Sequence, residues 1–333
     1  MFSRFKGFIK PAIVMGMLVC FAAYLRSVDY TEVIGAVKQV GYRYVLLIFV
    51  TFLAYFLGTI SWQYCMPQRK DRISTGRLFW IRHVGETIAL INPASIIGGD
   101  ALKIHLLHDQ GIEERFSIVS IITSRAILII TQVFLSIVVI VVLTIQHKVF
   151  IFPWIPNILL YMAAGILILV LFILILDKLI AHIHAGLFKL ISSFKLKART
   201  IIATAKLEWS SNKSGMWISA GFALLHWILG SLEFYFILMF LGVNVSLTEA
   251  LLVDMGVMIF KTAGAFIPAQ IGVEEYGNKI MLAAVGVSSA SIWVAASILR
   301  RSRQLLWILA GLVIYFLIKK SYPLQNANGN SVC

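Results

Sequence analysis

The residues that could do chemistry begin in Ala265 to Lys279, A-F-I-P-A-Q-I-G-V-E-E-Y-G-N-K. Pro268 and Gly272 interrupt a helical pattern inside an apolar region, where the backbone tolerates interruption least. Beside them stand Glu274, Glu275 and Lys279, with Lys261 upstream. Ionisable groups at membrane depth are costly, so such a set marks a place where something polar is bound or passed. A second interrupted stretch, Leu78 to His108, holds Asn92-Pro93 and Gly98-Gly99 in its middle and carries Glu86, Asp100 and Lys103. Further ionisable residues lie in apolar surroundings at Arg125, Glu233, Asp254, Arg300, Arg301 and Arg303.

These residue types suit an anionic, phosphate-bearing ligand. Arginine donates two parallel bonds from one planar fork, so Arg125, Arg300, Arg301 and Arg303, with Lys261 and Lys279, are the candidate cations. Helices starting after Pro93 and Pro268 would add amide donors and positive dipole ends. Glu86, Asp100, Glu233, Asp254, Glu274 and Glu275 would hold the arginines in an empty site, or bind a cationic headgroup or coupling proton. Each residue has a plainer reading. Arg82, Lys103, His105 and His108 fit interface anchors, and His226 fits a packed or pore-facing histidine. Arg301 and Arg303 lie on other helix faces from Arg300 and fit pairing with acids or snorkelling.

No Ser-His-Asp, H-E-x-x-H, C-x-x-C or Walker arrangement occurs, so neither catalysis nor ATP-driven transport is expected of this chain. Cys20, Cys65 and Cys333 have no metal-ligand spacing and make no disulfide framework. Neither a cofactor nor a metal is expected.

The surroundings that must position these groups are set by composition. With 333 residues, 60% hydrophobic and 13% charged, and a mean hydropathy of +0.90, the chain reads as an all-α, polytopic integral membrane protein. Its net charge of +14 sits in short segments between apolar spans, where Lys and Arg mark the cytoplasmic side and meet anionic lipid. That placement excludes nucleic acid as the partner. The N-terminal M-F-S-R-F-K-G-F-I-K lacks an A-x-A cleavage site and reads as leading into a retained first span. The longest segment outside the spans, Lys178 to Ser214, is under 40 residues and too short for a separate catalytic domain.

In order, span one covers about Pro11 to Leu25 and is followed by an amphipathic surface segment, Asp29 to Tyr42. Span two, Tyr42 to Tyr64, leads to a basic loop with Arg69, Lys70, Arg72 and Arg77, which orients it as cytoplasmic. In the first broken stretch the arm before Pro93 is about 15 residues, or roughly 22 Å as helix, short of the roughly 30 Å hydrocarbon core. Span three is about Phe116 to Gln146, span four Asn157 to Leu176, span five Gly215 to Leu241, and a final span about Ser291 to Ile318. Aromatic and proline residues Phe150, Pro153, Trp154 and Pro156 mark the outer interface between spans three and four. The basic stretch Lys178 to Lys213 reaches the cytoplasmic leaflet only if each broken stretch is a re-entrant hairpin or a pair of full crossings. This gives about six full spans plus two broken hairpins in one transmembrane domain, 1–320, and a polar disordered tail, 321–333. Both termini fall on the cytoplasmic side of a cell inner membrane.

The two broken stretches repeat one another. Pro93-Ala94-Ser95-Ile96 aligns with Pro268-Ala269-Gln270-Ile271; seven residues after each proline is a carboxylate, Asp100 or Glu275, and 32 residues after each is an arginine, Arg125 or Arg300. Three crossings separate the hairpins, so the first opens to the cytoplasm and the second outward. The repeats, about 42–146 and 215–318, are then inverted, an arrangement in which broken helices meet at the midplane around a substrate.

The segments Asn92 to Lys103, Phe266 to Glu275 and Ser297 to Arg303 resemble the transmembrane-region family of lysylphosphatidylglycerol synthetase, also called flippase-like membrane proteins. The resemblance covers about residues 5 to 320. Two positions depart from the family pattern: Pro268-Ala269-Gln270 replaces a glycine-rich turn, and Ser124 replaces an acid before Arg125. The resemblance implies handling of lipids, including aminoacylated phosphatidylglycerol and polyprenyl-linked lipids. The soluble aminoacyl-transferring domain of larger members is absent, so a separate lipid-modifying enzyme is the expected partner. The function expected is lipid translocation between leaflets. The alternatives are an ion-coupled transporter of a small anionic solute and a non-transporting subunit that presents lipid to an enzyme.

Overall fold

The computed structural model of the protein describes residues 30–66, 73–91, 95–146, 203, 210–264, 267, 270 and 272–321. Span one, Arg69, Lys70 and Arg72, Asn92 and Pro93, span four with the aromatic turn before it, most of the basic stretch before Lys213, Pro268, and the tail after Ser321 lie outside the described residues. Among the described residues every regular element is a helix: α1 (Tyr30–Val40), α2 (Tyr44–Tyr64), α3 (Thr75–Ile91), α4 (Ser95–His108), α5 (Glu114–Ile145), α6 (Lys213–Phe240), α7 (Leu247–Ala263), α8 (Val273–Ala284) and α9 (Ala290–Ser321). A short 3-10 turn, Gly41–Arg43, joins α1 to α2.

Among the described residues three helical stretches are long and apolar enough to cross a membrane: Lys38–Tyr64, Glu114–Ile145 and Lys213–Phe240. They match spans two, three and five. The 32-residue α9, about 48 Å long, is interrupted in hydropathy by Arg300, Arg301 and Arg303. Helices α2 and α6 pack antiparallel. Toward one end of their contact Ser61 and Ser219 share a hydrogen bond between hydroxyls, and at that same end the Asn212 side chain donates to the Tyr64 carbonyl at 3.2 Å. Small side chains and hydroxyls that back-bond to the helix allow this close approach.

Both broken stretches form paired antiparallel helices. The α3–α4 hairpin crosses where Gly85 faces Gly99 and the stem of Lys103. Gly98 and Gly99 were expected to break the helix, but α4 runs through both without interruption. Gly99 instead allows close packing, since a methyl group there would meet the Gly85 carbonyl oxygen and Ala89. In the α7–α8 hairpin Gly264 faces Val273, Gly277 faces Phe260 and Gly256 faces Met281. Helix α7 opens with a capping box between Ser246 and Glu249. Its partner opens at Gly272, whose φ of 82° is left-handed, two residues after Gln270 at φ 53°. At Gly272 the missing side chain is what permits the turn.

The base of the first hairpin is tied to the Tyr64 end of the bundle: Thr75 donates to the Gln63 side chain at 2.7 Å, and Gln63 to the Ile73 carbonyl at 3.3 Å. The base of the second lies at the other end, where Leu282 and Val287 pack with Phe240, Leu241, Val40 and Leu47. Helix α9 runs antiparallel to α8, joined by the Asn278 to Ser297 hydrogen bond at 2.9 Å. It then crosses α3 at His83, whose ring nitrogen bonds the Trp307 carbonyl at 2.8 Å, and at Thr87, which faces Gly311.

The Gly85–Gly99 crossing is testable. Gly99→Ala should cost about 1–3 kcal/mol, as overpacking does in well-packed cores. Gly221→Ala, in α6 with open space around its Cβ, should be neutral or slightly stabilising. Thermal unfolding in detergent micelles reads both, and equal melting temperatures for the two variants would refute the close approach.

Candidate functional site

Among the described residues two groups of ionisable side chains occupy the interior, one around each hairpin. The second is the more closed. Arg300 is 5% and Arg303 6% exposed, and their partners Glu233, Asp254, Glu274 and Glu275 are buried. Arg300 sits among three acids from three helices: Nη2 is 3.2 Å from Asp254, and Nε is 3.6 Å from Glu274 and 3.8 Å from Glu233. Its guanidinium also lies 4.0 Å from the centre of the Phe234 ring, a cation–π contact that partly replaces lost hydration. Arg303 donates from Nε to Glu233 and from Nη1 to the Tyr55 hydroxyl at 3.2 Å. Lys261 reaches Glu274 at 3.3 Å, and Ser231 donates to Asp254 at 2.9 Å.

Arg301 joins this group although its helical position pointed elsewhere. It donates to both oxygens of Glu275, at 2.6 and 3.2 Å, and to the Gln270 carbonyl at 3.0 Å. Its Nη1 is also 3.3 Å from Glu274. Glu275 in turn accepts the Gly272 amide at 2.7 Å, so one carboxylate both starts α8 and fixes an arginine of α9. Of the two plainer readings of Arg301 and Arg303, pairing with acids is the one seen, and all three arginines meet carboxylates. Lys279 lies over the Trp293 ring at 5.5 Å and makes no ion pair among the described residues.

The first group lies on α3, α4 and α5. Arg125 grips Asp100 with two bonds, Nε to Oδ2 at 2.8 Å and Nη2 to Oδ1 at 2.7 Å. Lys103 bridges Glu86 at 2.5 Å and Asp100 at 3.3 Å. The interface-anchor reading therefore fails for Lys103, which is 4% exposed. It also fails for Arg82, whose Nη1 donates to the Tyr55 carbonyl at 3.0 Å and whose guanidinium lies against Gly58. His105 and His108 are exposed, and His105 stands 3.9 Å from Asp109. His226 bonds the Ala54 carbonyl at 2.7 Å and so joins α6 to α2.

Tyr55, which carried no signal in the sequence, touches both groups: its carbonyl accepts from Arg82 and its hydroxyl from Arg303. The groups differ in openness. The side chains of Arg125 and Glu86 are 34% and 47% exposed, whereas the acids facing Arg300 are nearly sealed. Among the described residues no cluster of His, Cys, Asp and Glu could hold a metal ion. The first arrangement can bind an anion reversibly; the second can hold four helices in place.

Removing one partner of a buried ion pair leaves an uncompensated charge and costs about 3–5 kcal/mol, whereas exposed pairs contribute about 0–1 kcal/mol. Glu233→Ala should accordingly lower thermal stability far more than Glu86→Gln. A larger loss from Glu86→Gln would reverse the assignment of sealed and open groups.

No curated protein and no solved structure matches the chain. A family model described as the lysylphosphatidylglycerol synthase transmembrane region matches residues 7–313. That span takes in both hairpins and both ion groups, so this all-helical membrane chain belongs to the family of the lysylphosphatidylglycerol synthase transmembrane region.

Proposed function

We propose that the protein is a lipid translocase, a carrier rather than an enzyme, which moves the headgroup of a phospholipid or polyprenyl-linked lipid between leaflets of the cell inner membrane. The two hairpins are read as an inverted repeat around a midplane cavity, with both termini cytoplasmic and the lipid-modifying step left to a separate enzyme. Support comes from membership of a lipid-handling family and from hairpin bases at opposite ends of the α2–α6 pair.

The observation that carries the reading is the half-open ion group on α3–α5. Among the described residues three cations, Arg82, Lys103 and Arg125, converge there with two carboxylates, Glu86 and Asp100, and the Arg125 and Glu86 side chains remain accessible. A headgroup phosphate entering beside Arg125 can share its guanidinium with Asp100, so desolvation of the phosphate is offset by charge-assisted bonds. Acyl chains need no protein path, because they stay in hydrocarbon while the headgroup crosses.

Purified protein in liposomes should accelerate the flip of a fluorescent anionic phospholipid, read by loss of signal to an impermeant quencher. Asp100→Asn and Arg125→Ala, which disrupt the bidentate pair, should each slow it at least about tenfold if that pair contributes one charge-assisted interaction at the barrier. Wild-type rates in both folded variants would remove the site from the mechanism. Movement of a soluble anion without lipid flip would favour the ion-coupled solute transporter, and activity only with a partner enzyme the lipid-presenting subunit.

A further inference from the structure

We propose that Arg82 is a specificity-determining cation and that the α3–α5 site selects headgroups of net negative charge over aminoacylated, net positive ones. The proposal rests on the translocation reading and assigns its substrate class. It comes from a charge count over the described residues. On the second hairpin Lys261, Arg300, Arg301 and Arg303 face Glu233, Asp254, Glu274 and Glu275, four against four, and each carboxylate is held within 4.0 Å of a cation. On the first, Arg82, Lys103 and Arg125 face Glu86 and Asp100, three against two. The excess positive charge is one, and Arg82 is the residue without a carboxylate.

Arg82 is placed for that role. One nitrogen of its fork is fixed by the Tyr55 carbonyl at 3.0 Å, and its guanidinium is laid against Gly58, where any side chain would displace it. Glu86, one turn further along α3, is committed to Lys103 and lies within electrostatic reach of Arg82 and Arg125 as well. Among the described residues no other acceptor engages the remaining donors of Arg82. With both terminal nitrogens against Gly58, the Nε side of the planar guanidinium is the edge left for a phosphate, in a fixed orientation.

An aminoacylated phosphatidylglycerol bearing lysine carries two ammonium groups and one phosphate, net +1. Its ammoniums need carboxylates, and both acids of this site are already occupied, so binding would displace Arg125 or Lys103. A phosphatidylglycerol headgroup, net −1, neutralises the excess charge and displaces nothing.

The test is lipid binding to the full-length protein in detergent, read by native mass spectrometry with phosphatidylglycerol, phosphatidylethanolamine and lysylphosphatidylglycerol in competition. The chain's net charge of +14 attracts anionic lipid everywhere, so the readout is the difference between wild type and Arg82→Gln. Wild type should prefer phosphatidylglycerol over lysylphosphatidylglycerol at least about tenfold, Arg82→Gln should lose most of that preference, and Arg82→Lys should keep part of it. Preference for the lysyl lipid in wild type would overturn the proposal even if Arg82→Gln failed to fold. An unchanged preference in folded Arg82→Gln would also overturn it. Arg82-dependent preference without flip in liposomes would sink the translocation reading alone, whereas flip without any charge preference would sink only the selectivity.

Discussion

An arginine removed from water must be answered by an acid, and that constraint organises this protein. Arg300, Arg301 and Arg303 occupy little more than one turn of α9, at azimuths about 100° apart per residue. Each therefore points to a different neighbour: Arg300 toward α6, α7 and α8, Arg301 toward the start of α8, and Arg303 toward α6 and Tyr55 of α2. Four helices must be in register before all three charges are satisfied. Because leaving one unpaired costs several kcal/mol, a short stretch of α9 fixes positions that apolar packing alone would leave free to slide.

Apolar periodicity was enough to locate most of the helices, since spans two, three and five and the final helix fall within a few residues of their expected ends. The hairpins were legible for a different reason. Pro93 and Pro268 divide apolar stretches too short to cross twice as intact helices, and the helices on either side of each division do pair. What the sequence concealed was azimuth and approach. The equal offsets to Arg125 and Arg300 align the two as counterparts, yet Asp100 binds Arg125 while Glu275 binds Arg301. An offset in residues does not say which way a side chain points once α8 begins at a left-handed Gly272. Gly99 looks like a helix breaker and is a contact point, because a glycine's cost in a helix interior, about 1 kcal/mol, is outweighed by close packing against Gly85. Tyr55 was invisible because an aromatic residue in an apolar span is the commonest of patterns.

The two ion groups answer different demands. Around Arg300 charge is balanced, sealed and shared among several helices, which suits a fixed framework. Around Asp100 charge is unbalanced and half open, which suits a surface that exchanges partners. Tyr55 stands between them, with its ring against His83 and Trp307 and its carbonyl also accepting from Thr59 at 2.9 Å. An accepting carbonyl in mid-helix is available to Arg82 only because Gly58 leaves room for the guanidinium.

This asymmetry bears on which part of the bundle can move at low cost. Separating α9 from α6, α7 and α8 breaks ion pairs to four buried acids at once. Displacing the α3–α4 hairpin from α2 breaks the Arg82 to Tyr55 bond and a set of aromatic contacts, while Lys103 keeps Glu86 because both ride on the hairpin. Asp100 would part from Arg125 on α5, but that pair is partly exposed. The charge distribution thus places rigidity on the second hairpin and compliance on the first, which carries Arg82 and Lys103.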